Sequence, residues 1–284
     1  MILNINPNLL LLITIEGLDG TFKNTNTKNL VNYLNTSFNK YSSKVDIKSV
    51  SFPRYEKEGG YFPKVYLNGK YSKFFENLSS EINKEKDISE IGRKLLLINE
   101  LELVSDFYLS DMFDFSSTTE INKPTIIVFD RYFYSMIYYL TKNIHKYNYQ
   151  NINYMKEFSD IILNKVINKY KLEKTDILIK LYNSNKDNNN DIIKKRNKNS
   201  KDIYENDFDY LDKVSDYYKK FNPQYMISEK YAVPRFNRTT NNSIINIDVN
   251  GKNEETILNE ITSSIQNVLR IYKLKVSNYY RYNK

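Results

Sequence analysis

The residues with the most chemistry to offer stand where apolar runs break off. The first group follows Leu9 to Ile15 in the string EGLDGTFKNT: Gly17, Asp19, Gly20, Thr21, Phe22, Lys23, Asn24 and Thr25. Two glycines and a lysine between an apolar strand and a polar, helix-compatible stretch can wrap backbone N–H groups around phosphates while the lysine reaches the terminal ones. In the full pattern G-x-x-x-x-G-K-[ST], a hydroxyl after the lysine holds Mg2+. Counted from Gly17, the second glycine is Phe22 and the hydroxyl residue is Asn24. The stretch is therefore either a degenerate phosphate loop or an ordinary strand-turn-helix connection. If residue 22 adopts a positive φ, phenylalanine costs about 1–2 kcal/mol there, and its ring is expected to crowd the phosphate approach. Asn24 offers an amide oxygen as a weaker Mg2+ ligand, and Thr25 lies about 100° further round the helix.

Three further groups share this character. Phe52-Pro53-Arg54-Tyr55 ends an alternating segment, Asp130-Arg131-Tyr132 ends the run TIIVFD, and Lys194, Lys195, Arg196, Lys198 and Lys201 form a basic cluster shortly before Tyr204. Arginine presents a planar fork to phosphate, and carboxylates suit a hard cation. Each also has a plain structural role open to it. Arg54 and Arg131 can be salt-bridge partners, Asp130 can cap the next helix, the cluster can be a solvated charge run, and Phe52 and Tyr55 can be core.

The elements that must position these groups alternate. Strands are predicted at Leu9 to Ile15, Lys44 to Phe52, Thr125 to Asp130, Asp176 to Leu181 and Ser243 to Val249, with Pro53 stopping the second. Helices are predicted at Asn29 to Phe38, from Ile88 through 91, 95, 98, 101 and 104, at Arg131 to Leu140, Met155 to Ile167, Tyr210 to Phe221 and Thr256 to Ile271. Continuous apolar strands alternating with helices predict an α/β fold, a parallel sheet covered on both faces. Ligands bind such sheets at the strands' carboxyl ends, where the groups above stand.

Bulk properties narrow the classes. The chain has 284 residues, 40% hydrophobic, with a formal charge of +8, which supports a substantial core and suits an anionic partner. The abundance of Lys, Asn, Ile and Tyr also accounts for part of the basic excess as compositional drift. No cysteine is present, which excludes disulfides and thiolate chemistry. His145 is the one histidine, in a polar stretch, which leaves little room for histidine metal sites or a Ser-His-Asp triad. Leu9 to Ile15 is too short to span a bilayer and runs straight into Glu16, so a soluble, cytoplasmic protein without membrane contact is expected.

Four stretches in order, EGLDG-x-x-K at 16–23, FPRY at 52–55, DRY at 130–132 followed by Tyr134-Ser135, and a basic flap running into YEN at 204–206, resemble the thymidylate kinase family of nucleoside monophosphate kinases. The resemblance implies a three-layer α/β/α P-loop kinase fold with a five-stranded parallel sheet and a basic lid at about 183–206, in a single domain spanning 1–284. It implies transfer of the ATP γ-phosphoryl group to dTMP or a related nucleoside monophosphate, with Mg2+. Gly17 to Thr25 would cradle ATP, with Lys23 on the transferred group. Asp19, Asn24 and Asp130 would lie near the metal and its waters, and Arg54 and Arg131 would grip the acceptor phosphate. Arg196 would close over the transition state, and Phe52, Tyr132 and Tyr204 would line the acceptor site. The family recognises its base with an aromatic and an arginine on the long helix. The corresponding stretch is taken as Leu95 to Glu102, which has neither; Arg93 lies on the same face two turns from Leu101. A homodimer is expected by the same resemblance. The alternative is a catalytically inactive relative serving as a binding or structural module, with nucleic acid a further possible partner of the tyrosine-rich tail, residues 272–284.

Overall fold

The computed structural model describes residues 10–18, 20–39, 45–68, 73–74, 77–78, 80–81, 90–119, 123–139, 164–170, 172, 175–185 and 243–266. Its elements are β1 (Leu10–Gly17), α1 (Lys23–Asn39), β2 (Asp46–Ser51), α2 (Tyr61–Leu67), α3 (Glu90–Thr118), β3 (Thr125–Asp130), α4 (Phe133–Tyr139), β4 (Ile177–Tyr182) and β5 (Ser243–Asp248). A final helix, α5, is described over 254–266. A 3-10 turn at Glu58–Gly60 leads into α2, and a π-helical turn at Lys165–Lys169 precedes β4. Most of the flap, the segments predicted helical at 155–163 and 210–221, and the tail lie outside the described residues, as do Arg196, Tyr204 and His145. Among the described residues, no helix is long and apolar enough to cross a membrane.

The five strands form one parallel sheet in the order β2-β3-β1-β4-β5. Leu10–Gly17 occupies its centre and is buried along its whole length, which is why it opens on a continuous apolar run, Leu10 to Ile13. Register divides the side chains between two faces. Leu11, Ile13 and Ile15 align with Ile126, Val128 and Asp130 of β3, and Ile13, Ile15 and Gly17 with Ile177, Ile179 and Leu181 of β4. Their apolar members join Leu30 and Leu34 of α1 and Ile257, Ile261 and Ile265 of α5 in the core of that face. The opposite face carries Thr14, Glu16, Phe129 and Lys180 under α3 and α4. There Phe129 meets Phe115 of α3 edge-on and stacks on Tyr132 at 4.6 Å.

The long helix extends beyond its predicted stretch because Leu109 and Met112, both buried, continue its apolar stripe. It stops where Thr118 and Thr119 turn their hydroxyls back onto the carbonyls of Asp114 and Phe115 at 2.7 and 2.6 Å, competing with the helical ladder. The π-helical turn fastens to α3 through Lys165 and Lys169, which reach Asp106 at 3.3 and 3.0 Å.

Candidate active site at the carboxyl ends of the central strands

Strands β1, β3 and β2 are neighbours, so their carboxyl ends bring Gly17 to Lys23, Asp130 to Tyr132 and Phe52 to Arg54 together although they lie up to 115 positions apart in sequence. The first connection is a tight loop. Thr21 is fully buried, and its N–H and Oγ1 both donate to the Leu18 carbonyl, at 3.3 and 2.6 Å. Lys23 donates from Nζ to the same carbonyl at 2.6 Å, so the ammonium is curled over the loop. Gly17 is required by space. A Cβ there would lie 2.5 Å from the Leu181 carbonyl oxygen and 2.6 Å from Thr21 Oγ1. Asp19, the remaining charged residue of the loop, lies outside the described residues.

Phe22 has φ +59° and Gly20 φ +83°, so residue 22 does take the conformation for which the full pattern uses glycine. The expected crowding does not follow. The Phe22 ring packs against the core cluster of the α1–α5 face, where apolar contact holds it. Asn24 is exposed in the first turn of α1 and Thr25 half-buried. Asn26 closes the turn, donating from Nδ2 to the Phe22 carbonyl at 2.9 Å.

At the end of β3, register places Asp130 on the face where α1 begins. Its Oδ2 accepts a long hydrogen bond from Ser51 Oγ at 3.5 Å, and its Oδ1 is buried with no hydrogen-bond partner among the described residues. A buried carboxylate oxygen left without a donor is costly unless a cation or water fills the position. Arg131 follows with φ +66°, held by donating its N–H to the Ile15 carbonyl at 3.1 Å.

The residue that organises this junction is Glu16, to which its place in the sequence assigns no role. It is buried on the face opposite Asp130, and its Oε1 accepts the N–H groups of Tyr132 and Ser135 at 2.8 and 3.2 Å while Oε2 accepts the Ser135 hydroxyl. The Tyr132 N–H is one that a helix start leaves without an intrahelical partner, and the Ser135 N–H is shared with the Tyr132 carbonyl at 3.0 Å, so Glu16, not Asp130, caps α4. Burial pushes the Glu16 carboxyl up to about 7 against the pull of Ser135, Tyr132, Arg131 and Lys23. Beside it in register, Lys180 of β4 is pushed down to about 8 by burial.

Arg54 lies at the end of β2, after a cis Phe52–Pro53 bond. Its guanidinium sits over the rings of Phe52 and Phe115, 5.9 and 5.4 Å from their centroids. Nε donates to Asp111 Oδ1 at 2.9 Å, the backbone N–H to Asp111 Oδ2 at 2.7 Å, and Nη2 to the Asp111 carbonyl and to Asp114 Oδ2 at 2.9 and 2.6 Å. Asp111 also packs against Gly59, where a Cβ would come within 2.8 Å of its Oδ1. Phe52 and Tyr132 are buried in the aromatic layer with Phe115 and Phe129. Phe52 and Phe115 form the floor beneath Arg54.

This arrangement moves the helical wall of the site. On α3, Asp111 meets Arg54 and Gly59, Phe115 meets Phe52, and Phe107 meets Phe62 of α2, whereas the side chains of Leu96, Leu97 and Leu101 lie outside the description. Phe107 stacks on Phe62 of α2 at 5.0 Å. The wall therefore carries an aromatic after all. Leu95 is exposed, and the Arg93 side chain lies outside the description. The i, i+4, i+8 spacing of 107, 111 and 115 was the available signal, but the point at which α3 crosses the loop depends on the length of the segments before it.

No protein-family model matches the chain, and no curated protein matches it in sequence. Among solved structures, the chain is similar to a thymidylate kinase from Candida albicans, whose substrate specificity is described as broad. The identity is 19%, covering 90% of this chain and 91% of that one, with a TM-score of 0.57. The two share the α/β fold with its five-stranded parallel sheet.

Proposed function

We propose that this chain transfers the γ-phosphoryl group of ATP to dTMP or a related nucleoside monophosphate. The carrying observation is the convergence, at three adjacent strand ends, of the Gly17–Lys23 loop, the Asp130–Arg131 pair and Arg54, each of a type suited to phosphate or its counter-ion. In this reading the backbone of residues 17–24 cradles the ATP phosphates and Lys23 leaves the Leu18 carbonyl for the transferred group. Arg131 and Arg54 orient the acceptor phosphate, with Phe52 and Tyr132 supporting them. The buried Oδ1 of Asp130 and the exposed amide of Asn24 are oxygen donors that fit Mg2+; when bound, Mg2+ neutralises charge on the transferring phosphoryl group. Asp19, Arg93, Arg196 and Tyr204 belong to the same proposal, as do a single domain with a lid at 183–206, a cytoplasmic location and a homodimer.

A second reading, a nucleotide-binding module without turnover, is favoured by Asn24 in place of a hydroxyl and by the two carboxylates already engaging Arg54. Calorimetric titration with ATP and dTMP, with and without Mg2+, followed by ADP release on the same sample, separates the two. Turnover that falls by at least about 100-fold in Lys23→Ala supports the kinase. Binding without turnover of dTMP or other monophosphates supports the module, and absence of ATP binding removes both.

A further inference from the structure

Arg54 is held in an over-subscribed way. Nη2 carries two hydrogens, yet three oxygens lie around it: the Asp111 carbonyl at 2.9 Å, Asp111 Oδ1 at 2.9 Å and Asp114 Oδ2 at 2.6 Å. Two carboxylates face one guanidinium, leaving an excess of negative charge where an anionic acceptor is expected. The two are not equivalent. The Asp111 side chain is 0% exposed and also takes the Arg54 backbone N–H and Nε, whereas the Asp114 side chain is 51% exposed and touches Arg54 through one oxygen alone. Among the described residues, Nη1 has no acceptor.

We propose that Asp111 is the fixed anchor of Arg54, and that Asp114 is a displaceable stand-in whose place on Nη2 is taken by the phosphate of the incoming nucleotide. The proposal rests on the kinase reading and refines it. Displacing Asp111 would strand a buried carboxylate, which is expensive; releasing Asp114 returns an exposed carboxylate to water, and exposed pairs of this kind contribute little. Once Asp114 leaves, Nη1 and Nη2 together present a two-point fork suited to a phosphate. A neutral nucleoside has no group that competes with a carboxylate for this guanidinium. Asp114 therefore keeps the guanidinium occupied until a phosphate arrives, at a cost in affinity that falls on phosphorylated acceptors and not on a neutral nucleoside, while Asp111 positions the arginine.

The test is calorimetric binding of dTMP and thymidine to the full chain and to Arg54→Ala, Asp114→Asn, Asp111→Asn and the Arg54→Ala/Asp114→Asn double variant. Asp114→Asn is expected to tighten dTMP by about threefold or more, the scale of an exposed ion pair and its charge, with thymidine tightened less. Arg54→Ala is expected to weaken dTMP, and in its background the Asp114 change should yield no gain, because the gain runs through the guanidinium. Asp111→Asn is expected to weaken dTMP; Asp114, being exposed, keeps the proposal testable if the Asp111 variant does not fold. An unchanged or weaker dTMP affinity in Asp114→Asn, or an equal gain in the double variant, overturns the inference. If Arg54→Ala abolishes binding while Asp114→Asn changes nothing, the inference falls and the kinase reading stands. A parent protein that binds neither dTMP nor another nucleoside monophosphate overturns both.

Discussion

Replacing Glu16 by glutamine keeps the size of the side chain and removes its titration, which isolates one electrostatic quantity. In the folded protein the Glu16 carboxyl is raised from its ordinary 4.5 to about 7, because burial disfavours the charge more than Ser135, Tyr132, Arg131 and Lys23 favour it. A raised acid binds its proton more tightly folded than unfolded. The stability it contributes is thus fully present below pH 4.5 and is lost as pH rises through about 7. At 1.36 kcal/mol per pH unit, the gap between the two values corresponds to about 3 kcal/mol. Glutamine cannot ionise, and all other groups are common to both proteins, so the stability difference between parent and Glu16→Gln should move against the parent by about 3 kcal/mol between pH 4.5 and 8. Urea unfolding at half-unit pH intervals measures it directly. A difference that is flat with pH refutes the reasoning. A difference that moves in favour of the parent as pH rises would mean that the three donors around the carboxylate outweigh its burial.

Gly17→Ala places a methyl 2.5 Å from the Leu181 carbonyl oxygen, in backbone that cannot move without parting β1 from β4. A loss of about 3 kcal/mol in denaturant unfolding is expected. At residue 22, φ +59° makes glycine the better small residue. Phe22→Gly should be more stable than Phe22→Ala by about 1 kcal/mol, measured by thermal unfolding, and the reverse order would contradict the left-handed backbone. Asp130→Asn should weaken the Mg2+-dependent part of ATP binding by about tenfold while leaving Mg2+-free binding near the parent value, as read by titration with and without the ion.

Much of this architecture is legible in the sequence. The runs at Leu10–Gly17, Thr125–Asp130 and Ile177–Tyr182 are mostly apolar because both faces are covered, with Thr14, Glu16 and Lys180 among their buried polar members. Ser243–Asp248 and α5 also stand where periodicity put them. The extent of α3 was less legible, because Asp111 stands buried on it for a reason that lies on another segment, its bonds to Arg54.

Local sequence, then, determines which stretches become strands or helices, where the strands stop, and that an arginine, an aspartate and a lysine stand at those stops. It also determines the demand for a positive φ at residue 22, since the loop between β1 and α1 is short. What the tertiary structure decides is company. Whether the Phe22 ring points at the loop or into the core depends on the space the core cluster of that face leaves for it. Whether Arg54 is free or held depends on where α3 crosses the end of β2. Glu16 has no local signature of a cap, because the helix it caps begins 117 residues later in the chain. Such contacts join residues distant in sequence, and their energies come from burial and charge in a shared space, which exists only after the sheet has assembled.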